Sequence, residues 1–517
     1  MNSKDCKSLL ILFLLSIPSL ASALPFTIAP KAGTSLPTQI IAGQTINAYY
    51  TIKNNTNRLR TGNYLKYLPK NVAQVTNNSA IPDLCGSTFT LQASNLSGDS
   101  CTLQLLISGA VNGASQNPND HLFACFPGGK TCAGTTSPLN ITLIPTASTV
   151  IAGGFYVDQF DNQVIGLTTS TDNGASWTTE TLTPPTGYHN GSINGISSAM
   201  EFSVGSGYYL DTNDTPYPTI IRRTAQNTTW QQQILSSLNG YSYSALDGIS
   251  CTGRDCIATG FAANPTTNKI EALIASSVNS GLTWTQQTLP ELAGYTFTKA
   301  IGVSCTGSTC VSVGYISDGM QVQSWAASTN NNGASWSQQA LPNLANIEYQ
   351  QLLDVSCTSS ECIAVGEYDD SNGVSHPGIA ITTDNGATWS QQILDILSPF
   401  SQSYYSGISC TSSYCVAVGF NDTGTGSNHT GYPAVAITTV HGISWSQQSL
   451  TVPSGFTYGE LTSVRCSNTT CQAAGFYQSS SGVTPFTATS LNSGQTWTQT
   501  PNIIPSGYVE GAFNAIG

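Results

Sequence analysis

The stretch "TTDNGATWSQQIL", Thr382–Leu394, decides how this chain is read, because the chain writes it seven times. Other forms are "STDNGASWTTETL" from Ser170, "SVNSGLTWTQQTL" from Ser277, "TNNNGASWSQQAL" from Thr329, "TTVHGISWSQQSL" from Thr438 and "SLNSGQTWTQT" from Ser490. A worn copy, "RTAQNTTWQQQIL", starts at Arg223. The tryptophans of the phrase, Trp177, Trp230, Trp284, Trp336, Trp389, Trp445 and Trp497, are separated by 53, 54, 52, 53, 56 and 52 residues. A fixed period of this size means a solenoid, a propeller or a string of modules.

A second phrase keeps the same period. "ISCTGRDCIATGF" from Ile249 returns as "VSCTGSTCVSVGY", "VSCTSSECIAVGE", "ISCTSSYCVAVGF" and "VRCSNTTCQAAGF" from Val303, Val355, Ile408 and Val464. Two short β-branched runs flank a four-residue turn, the pattern of a hairpin. In the third repeat a strand A, "LDGIS", leads to a strand B, "CIATGF". A variable loop then leads to strand C, "ALIASS", and the tryptophan phrase turns the chain into strand D, "TWTQQTL". No long helical period appears. Four antiparallel strands per repeat form a propeller blade. The first repeat, "STVIAGGF" from Ser148, begins at strand B, and the last residues, "PSGYVEGAFNAIG", read as the lead-in to a strand A. Residues near Ala512 to Ile516 are therefore expected to supply the inner strand of blade 1, removing the exposed edges of an open array. The alternative is a linear array of seven β-modules.

The phrase Ser/Thr-x-Asp-x-Gly-x-Ser/Thr-Trp resembles the Asp-box, or BNR repeat, of propellers that include sialidases and sortilin-type receptors. The resemblance covers about residues 148–517 and implies an all-β, seven-bladed Asp-box propeller in which the box is structural. Asp172, Gly174 and Trp177, and Asp384 and Trp389, match it in full. Asn279 (with Trp284), Asn331 (with Trp336) and Asn492 (with Trp497) replace the Asp, and Ala225 (before Trp230) and Val440 (before Trp445) abandon it. Asp or Asn can hydrogen-bond the backbone two residues on and so set a turn.

The expected domains are a leader over 1–23, an immunoglobulin-like β-sandwich over 24–146 and the propeller over 147–517. "MNSKDCKSLLILFLLSIPSLASA" has the basic start, apolar run and small-residue end of a signal peptide. Without Cys6 the 15 cysteines become 14, an even number that favours disulfides in an oxidising compartment over metal or redox chemistry. The pairs Cys251–Cys256, Cys305–Cys310, Cys357–Cys362, Cys410–Cys415 and Cys466–Cys471 read as hairpin staples. In the first domain proximity favours Cys85–Cys101 and Cys125–Cys132. The chain is expected to be exported, to the periplasm, the cell surface or beyond. A net charge of −12, with only 8% charged residues and no basic run, argues against nucleic acid and anionic membranes. No segment after the leader is long and apolar enough to span a bilayer.

A–B hairpins and box corners share one face of such a propeller; B–C loops and D–A connections share the other. The second face varies between blades and is where a ligand, glycan or protein, is expected. Its loops bring forward Tyr208, Tyr209, Asp211, Tyr368, Asp369 and Asp370 as binding candidates, since flat rings and planar polar groups suit sugars. Trp325 breaks the repeat and is a candidate anchor or a core filler. Asp369, Asp370 and similar loops could hold calcium, although no D-x-D-x-D-G loop is present; no other cofactor or metal is expected. A sialidase would need three arginines on one carboxylate, and Arg222, Arg223, Arg254 and Arg465 lie near the corners and hairpins instead. Asp247, Asp354 and Glu460, on inner strands, remain as carboxylates for an alternative glycoside hydrolase. The reading favoured here is a non-catalytic binding propeller.

Overall fold

Each Cys-x4-Cys phrase folds into a hairpin closed by a disulfide, and each hairpin forms the inner edge of a four-stranded antiparallel sheet. In the computed structural model the described residues are 24–31, 39–41, 45–68, 72–108, 121–135, 142–144 and 149–517, the last without 200, 225, 226, 228, 237, 291, 360, 425–429, 440 and 441. The expected leader with Cys6, the linker around 145–148, and Ala225, Val440, His429 and His441 lie outside them. The chain divides into two compact units, residues 1–146 and 147–517.

In the first unit, strands Phe26–Pro30, Thr45–Asn54, Ser100–Ser108 and Val72–Val75 make one sheet; Phe89–Leu91, Arg60–Tyr67, Phe123–Cys125 and Cys132–Gly134 make another. Ile52, Leu103 and Leu105 from the first sheet share a core with Leu91, Ala124 and Ala133 from the second. Disulfides join Cys85 to Cys101 and Cys125 to Cys132. With the five of the second unit these make seven disulfides among the described residues, which places the chain in an oxidising, extracytoplasmic environment. No described helix is long and apolar enough to cross a membrane.

The second unit has inner strands Tyr188–Ser198, Tyr243–Thr252, Phe297–Thr306, Ile347–Thr358, Gln402–Cys410, Tyr458–Ser467 and Tyr508–Ile516. Each leads a four-stranded sheet, and three of these sheets are linked edge to edge by single parallel bridges, Ile270 to Phe297 and Val322 to Tyr349. Tyr508–Ile516 pairs with Val150–Asp158, so the end of the chain completes the sheet that begins the unit. All seven inner strands line one central channel. Four-stranded antiparallel blades about a channel are the architecture of a β-propeller.

The inner strands share a feature that periodicity alone does not reveal. Each has one β-bulge at the same level, which leaves Asn194, Asp247, Ile301, Leu353, Ser406, Thr462 and Asn514 as extra residues. Opposite each bulge, strand B carries glycine. A Cβ at Gly154, Gly207, Gly260, Gly314, Gly366, Gly419 or Gly475 would lie 1.9–2.2 Å from a carbonyl oxygen of the inner strand. The inner strand therefore presses onto strand B at a point where only hydrogen fits.

The opening phrase does two jobs. At the corner, Asp172 Oδ1 accepts the N–H of Ser176 at 2.8 Å and Oδ2 accepts its hydroxyl at 2.5 Å. The reach is four residues, not the two expected from the sequence. Ser170 Oγ accepts the Gly174 N–H at 2.8 Å, and the Trp177 indole N–H donates to the Gly174 carbonyl at 3.2 Å. Asn279 substitutes well because its Oδ1 accepts the Thr283 N–H at 2.9 Å and its Nδ2 donates to the Thr283 hydroxyl at 2.8 Å. In the worn copy the glycine is missing, and Trp230 donates to Glu180 instead, at 2.6 Å.

The paired glutamines then clip blades together. The first of each pair donates backward: Gln286 to Ser236 O at 2.8 Å, Gln391 to Pro342 O at 2.6 Å and Gln447 to Asp395 O at 2.9 Å. The second donates forward to the next corner: Gln287 to Gly333 O at 2.8 Å, Gln392 to Gly442 O at 2.6 Å and Gln448 to Gly494 O at 2.8 Å.

Replacing Gly366 with alanine is expected to destabilise the second unit by about 1–3 kcal/mol or more, because backbone must move to admit the methyl. Denaturant unfolding of Gly366→Ala beside an exposed control, Gly373→Asn, checks this; equal midpoints would contradict the close approach.

Candidate functional site

The channel has two levels of distinct chemistry. The lower one runs from the bulge ring to the hairpin ends and encloses a cavity of about 450 Å³. Its wall is mostly hydroxyl and amide. Asn194 Nδ2 donates to Leu246 O at 3.1 Å, Ser406 Oγ to Leu461 O at 2.9 Å, Thr462 Oγ1 to Phe513 O at 2.8 Å and Asn514 Nδ2 to Ile193 O at 3.2 Å. At these four bulges the extra residue donates to a carbonyl of the next inner strand.

Asp247 and Asp354, two of the carboxylates considered for hydrolysis, also line this cavity. Asp354 is clamped: Oδ1 accepts the Val355 N–H at 2.8 Å and Oδ2 the Ile408 N–H at 2.9 Å. Burial nevertheless raises its pKa to about 7, against the two hydrogen bonds. Asp247 Oδ1 pairs with Lys299 at 3.3 Å, while its Oδ2 is buried with no hydrogen-bond partner among the described residues. Burial pushes Asp247 up, and the Lys299 ammonium opposes that.

The upper level is a collar. The residue after each strand-B glycine is Phe155, Tyr208, Phe261, Tyr315, Glu367, Phe420 or Phe476, aromatic in six blades and acidic in one. Inner-strand rings pack on them: Phe297 stacks on Tyr315 at 5.2 Å and Tyr458 on Phe476 at 5.9 Å, while Tyr404 and Tyr458 lie tilted against Phe420 at 5.4 and 4.9 Å. Lys299 lies 5.1 Å over the Phe261 ring. Glu460 accepts hydroxyls from Tyr404 at 3.0 Å and Tyr458 at 2.8 Å. Glu367 accepts from Gln351 at 2.7 Å and Ser375 at 2.9 Å. Burial is the main cause that raises both glutamates; the Glu367 charge adds to the rise of Glu460, although one blade lies between them in sequence. Aromatic faces beside half-buried carboxyls can stack on a ring and bond its hydroxyls.

Of the other candidates, Tyr209 and Tyr368 are corrected to core residues and Trp325 is the core filler of its two expected roles, each 0% exposed. The glutamine clip explains them. Tyr209 donates to Gln232 Oε1 at 2.6 Å, Tyr368 to Gln391 Oε1 at 2.7 Å, and Trp325 to Gln338 Oε1 at 3.0 Å. In the blade of Trp325 the tyrosine position is held by Ile316, so the indole from strand C supplies the missing donor. Asp211 and Asp370 build their own loops: Asp211 accepts the Asn213 and Thr215 N–H groups at 2.8 and 3.1 Å, and Asp370 those of Asn372 and Val374 at 2.8 and 3.0 Å. These bonds hold both carboxyls below the usual range. Tyr208 is half-buried in the collar, and Asp369 stands opposite Tyr349 with Oδ1 buried and without a hydrogen bond among the described residues. Among the described residues no three His, Cys, Asp or Glu side chains gather as a metal site. The corner carboxylates Asp172 and Asp384, each with its pKa lowered to about 2 chiefly by the hydroxyl four residues on, are turn elements.

Sequence reasoning did not single out Glu367, Tyr404, Tyr458 or Lys299. Glu367 had a signal, the "E" in "VGE" where other repeats read "VGF" or "VGY".

The sequence matches no protein-family model and no curated protein. Among solved structures the chain is similar to Trypanosoma rangeli sialidase in complex with sialic acid, at 13% identity and TM-score 0.38 over 61% of this chain and 55% of that one. It is also similar to the β-propeller domain of the Trilobed protease from Pyrococcus furiosus, at 8%, 0.37, 61% and 84%, and to Aleuria aurantia lectin, at 13%, 0.35, 62% and 97%. The match spans about half the length of the sialidase chains. These are likenesses of propeller architecture and carry nothing about the site.

Two outcomes follow. Trp325→Ala is expected to lose about 3–5 kcal/mol of stability in denaturant unfolding, the range for a large buried aromatic. Asp354 has a folded pKa above its unfolded one, so its contribution is fully present below about pH 4 and is lost as pH rises to about 7, by at most about 4 kcal/mol. A plot of stability against pH should fall over that window, and Asp354→Asn should flatten it.

Proposed function

We propose that this chain is an exported, non-catalytic, seven-bladed propeller with Asp-box corners that binds a glycan or a protein partner at the collar and the B–C and D–A loops around it. The observation that carries the reading is the collar itself: rings of Tyr208, Phe261, Tyr315, Tyr404 and Tyr458 stand partly open beside Glu367 and Glu460. A mouth built only for packing would bury aliphatic groups, and it would not set two carboxyls with raised pKa values among rings and hydroxyls. The first unit, in this reading, is an immunoglobulin-like spacer or adhesive module, and the chain works in the periplasm, at the cell surface or outside.

The alternative is a glycoside hydrolase. Asp354 has both oxygens on backbone N–H groups and Asp247 is paired with Lys299. Glu460 with Glu367 is thus the pair that hydrolysis would use, and the raised pKa values of both favour it.

A glycan array probed with residues 24–517, with and without calcium, tests the reading. Saturable binding that falls at least about ten-fold in Tyr458→Ala (1.4 kcal/mol) is the expected result. Binding kept in Glu460→Gln supports the binder; release of free sugar by the wild type but not by Glu460→Gln supports the hydrolase. No binding to any glycan would end the sugar reading in favour of a protein partner.

A further inference from the structure

The lower cavity contains a second break in the repeat, independent of the collar. At the end of the inner strands, Ser197, Ser250, Ser304, Ser356 and Ser409 each accept a backbone N–H from the next blade: those of Cys251, Cys305, Cys357, Cys410 and Cys466, at 2.9–3.0 Å. The seventh blade has arginine there. Arg465 has no hydroxyl to accept with, and the next strand is held from Ser463 instead, whose Oγ accepts the Ile516 N–H at 3.3 Å.

Arg465 lines the cavity and is half-buried, and burial lowers its pKa. No described carboxylate forms an ion pair with it. Its one hydrogen bond among the described residues is a long one, to the Thr149 carbonyl at 3.5 Å. Removing a guanidinium from water without an anion is costly. Of the other charges on the wall, Asp354 has two N–H groups and Asp247 has Lys299 on Oδ1, while Asp247 Oδ2 has no hydrogen-bond partner among the described residues. The hydroxyls help in the same sense: Ser197, Ser250, Ser409 and Ser463 accept backbone N–H groups, which leaves their own protons without an acceptor among the described residues. The site therefore offers one unpaired cation and several O–H donors in about 450 Å³, room for one monosaccharide-sized molecule.

We infer that this cavity binds a small molecule bearing a single carboxylate, a sugar acid or a compound of like size, with the carboxylate on Arg465 and its hydroxyls on the serine ring. Arginine's planar fork suits a carboxylate bidentately. The repeat supplies its own control. Arg465→Ser installs the residue that five other blades use, so it is expected to keep the fold.

The experiment titrates D-glucuronate, D-glucose and inorganic phosphate into the full chain by calorimetry, with thermal unfolding of each protein alone. Saturable glucuronate binding, no glucose binding, and at least a ten-fold loss in Arg465→Ser at an unchanged unfolding midpoint is the expected result. Glucuronate that fails to saturate the wild type, or that binds Arg465→Ser equally well, overturns the inference. Phosphate binding without glucuronate binding overturns the carboxylate assignment. Should Arg465→Ser not fold, Arg465→Lys takes its place, and undiminished glucuronate binding by it overturns the bidentate role.

Discussion

The close approach of each inner strand to its strand B holds this architecture together. Seven glycines, Gly154 to Gly475, sit under inner-strand carbonyls at a distance no side chain would permit. A strand pressed this close cannot keep a flat ladder, and a bulge at the same level of every blade takes up the extra residue. The bulge does more than bend the strand. It turns Asn194, Ser406, Thr462 and Asn514 toward the next strand's carbonyl, so at four of the seven bulges a side chain ties one blade to its neighbour. The channel wall is polar because the backbone geometry makes it so.

Blade-to-blade cohesion combines apolar packing with directional bonds. Valine, isoleucine and alanine of adjacent sheets share cores, as where Val416 and Val418 meet Leu461 and Val464. Such packing is non-directional and would allow blades to slip. The glutamine pairs and the serine ring fix the register, each reaching a backbone group about fifty residues away. Tyr209, Tyr368, Tyr405 and Tyr477 complete the clip by donating to glutamine oxygens, and Trp325 does so in the blade where Ile316 holds the tyrosine position. A partner for a buried polar atom is worth most where water is excluded, and in that blade an indole from a different strand provides it.

Against this regular frame, departures from the repeat carry the information about chemistry. Glu367 interrupts a column of aromatics, Glu460 takes two phenol hydroxyls, and Arg465 displaces a serine whose role is structural elsewhere. Each places a charge where the scaffold has no need of one. Asp211 and Asp370 show the opposite case, since their charges are absorbed by the N–H groups of their own turns.

The sequence by itself determined the all-β class, the blade period, the hairpin cysteines and the strand missing from the first repeat, because turn chemistry and hydrophobic alternation are local and were written several times over. It did not decide which aromatic side chains are buried: Tyr208 and Tyr209 are neighbours with opposite fates because a strand sends successive side chains to opposite faces. Nor did it set Glu367 and Glu460 in one collar, or leave Arg465 without a carboxylate partner among the described residues. Glu367 lies on a different blade from Glu460 and Arg465, and only the closed ring decides what each one meets.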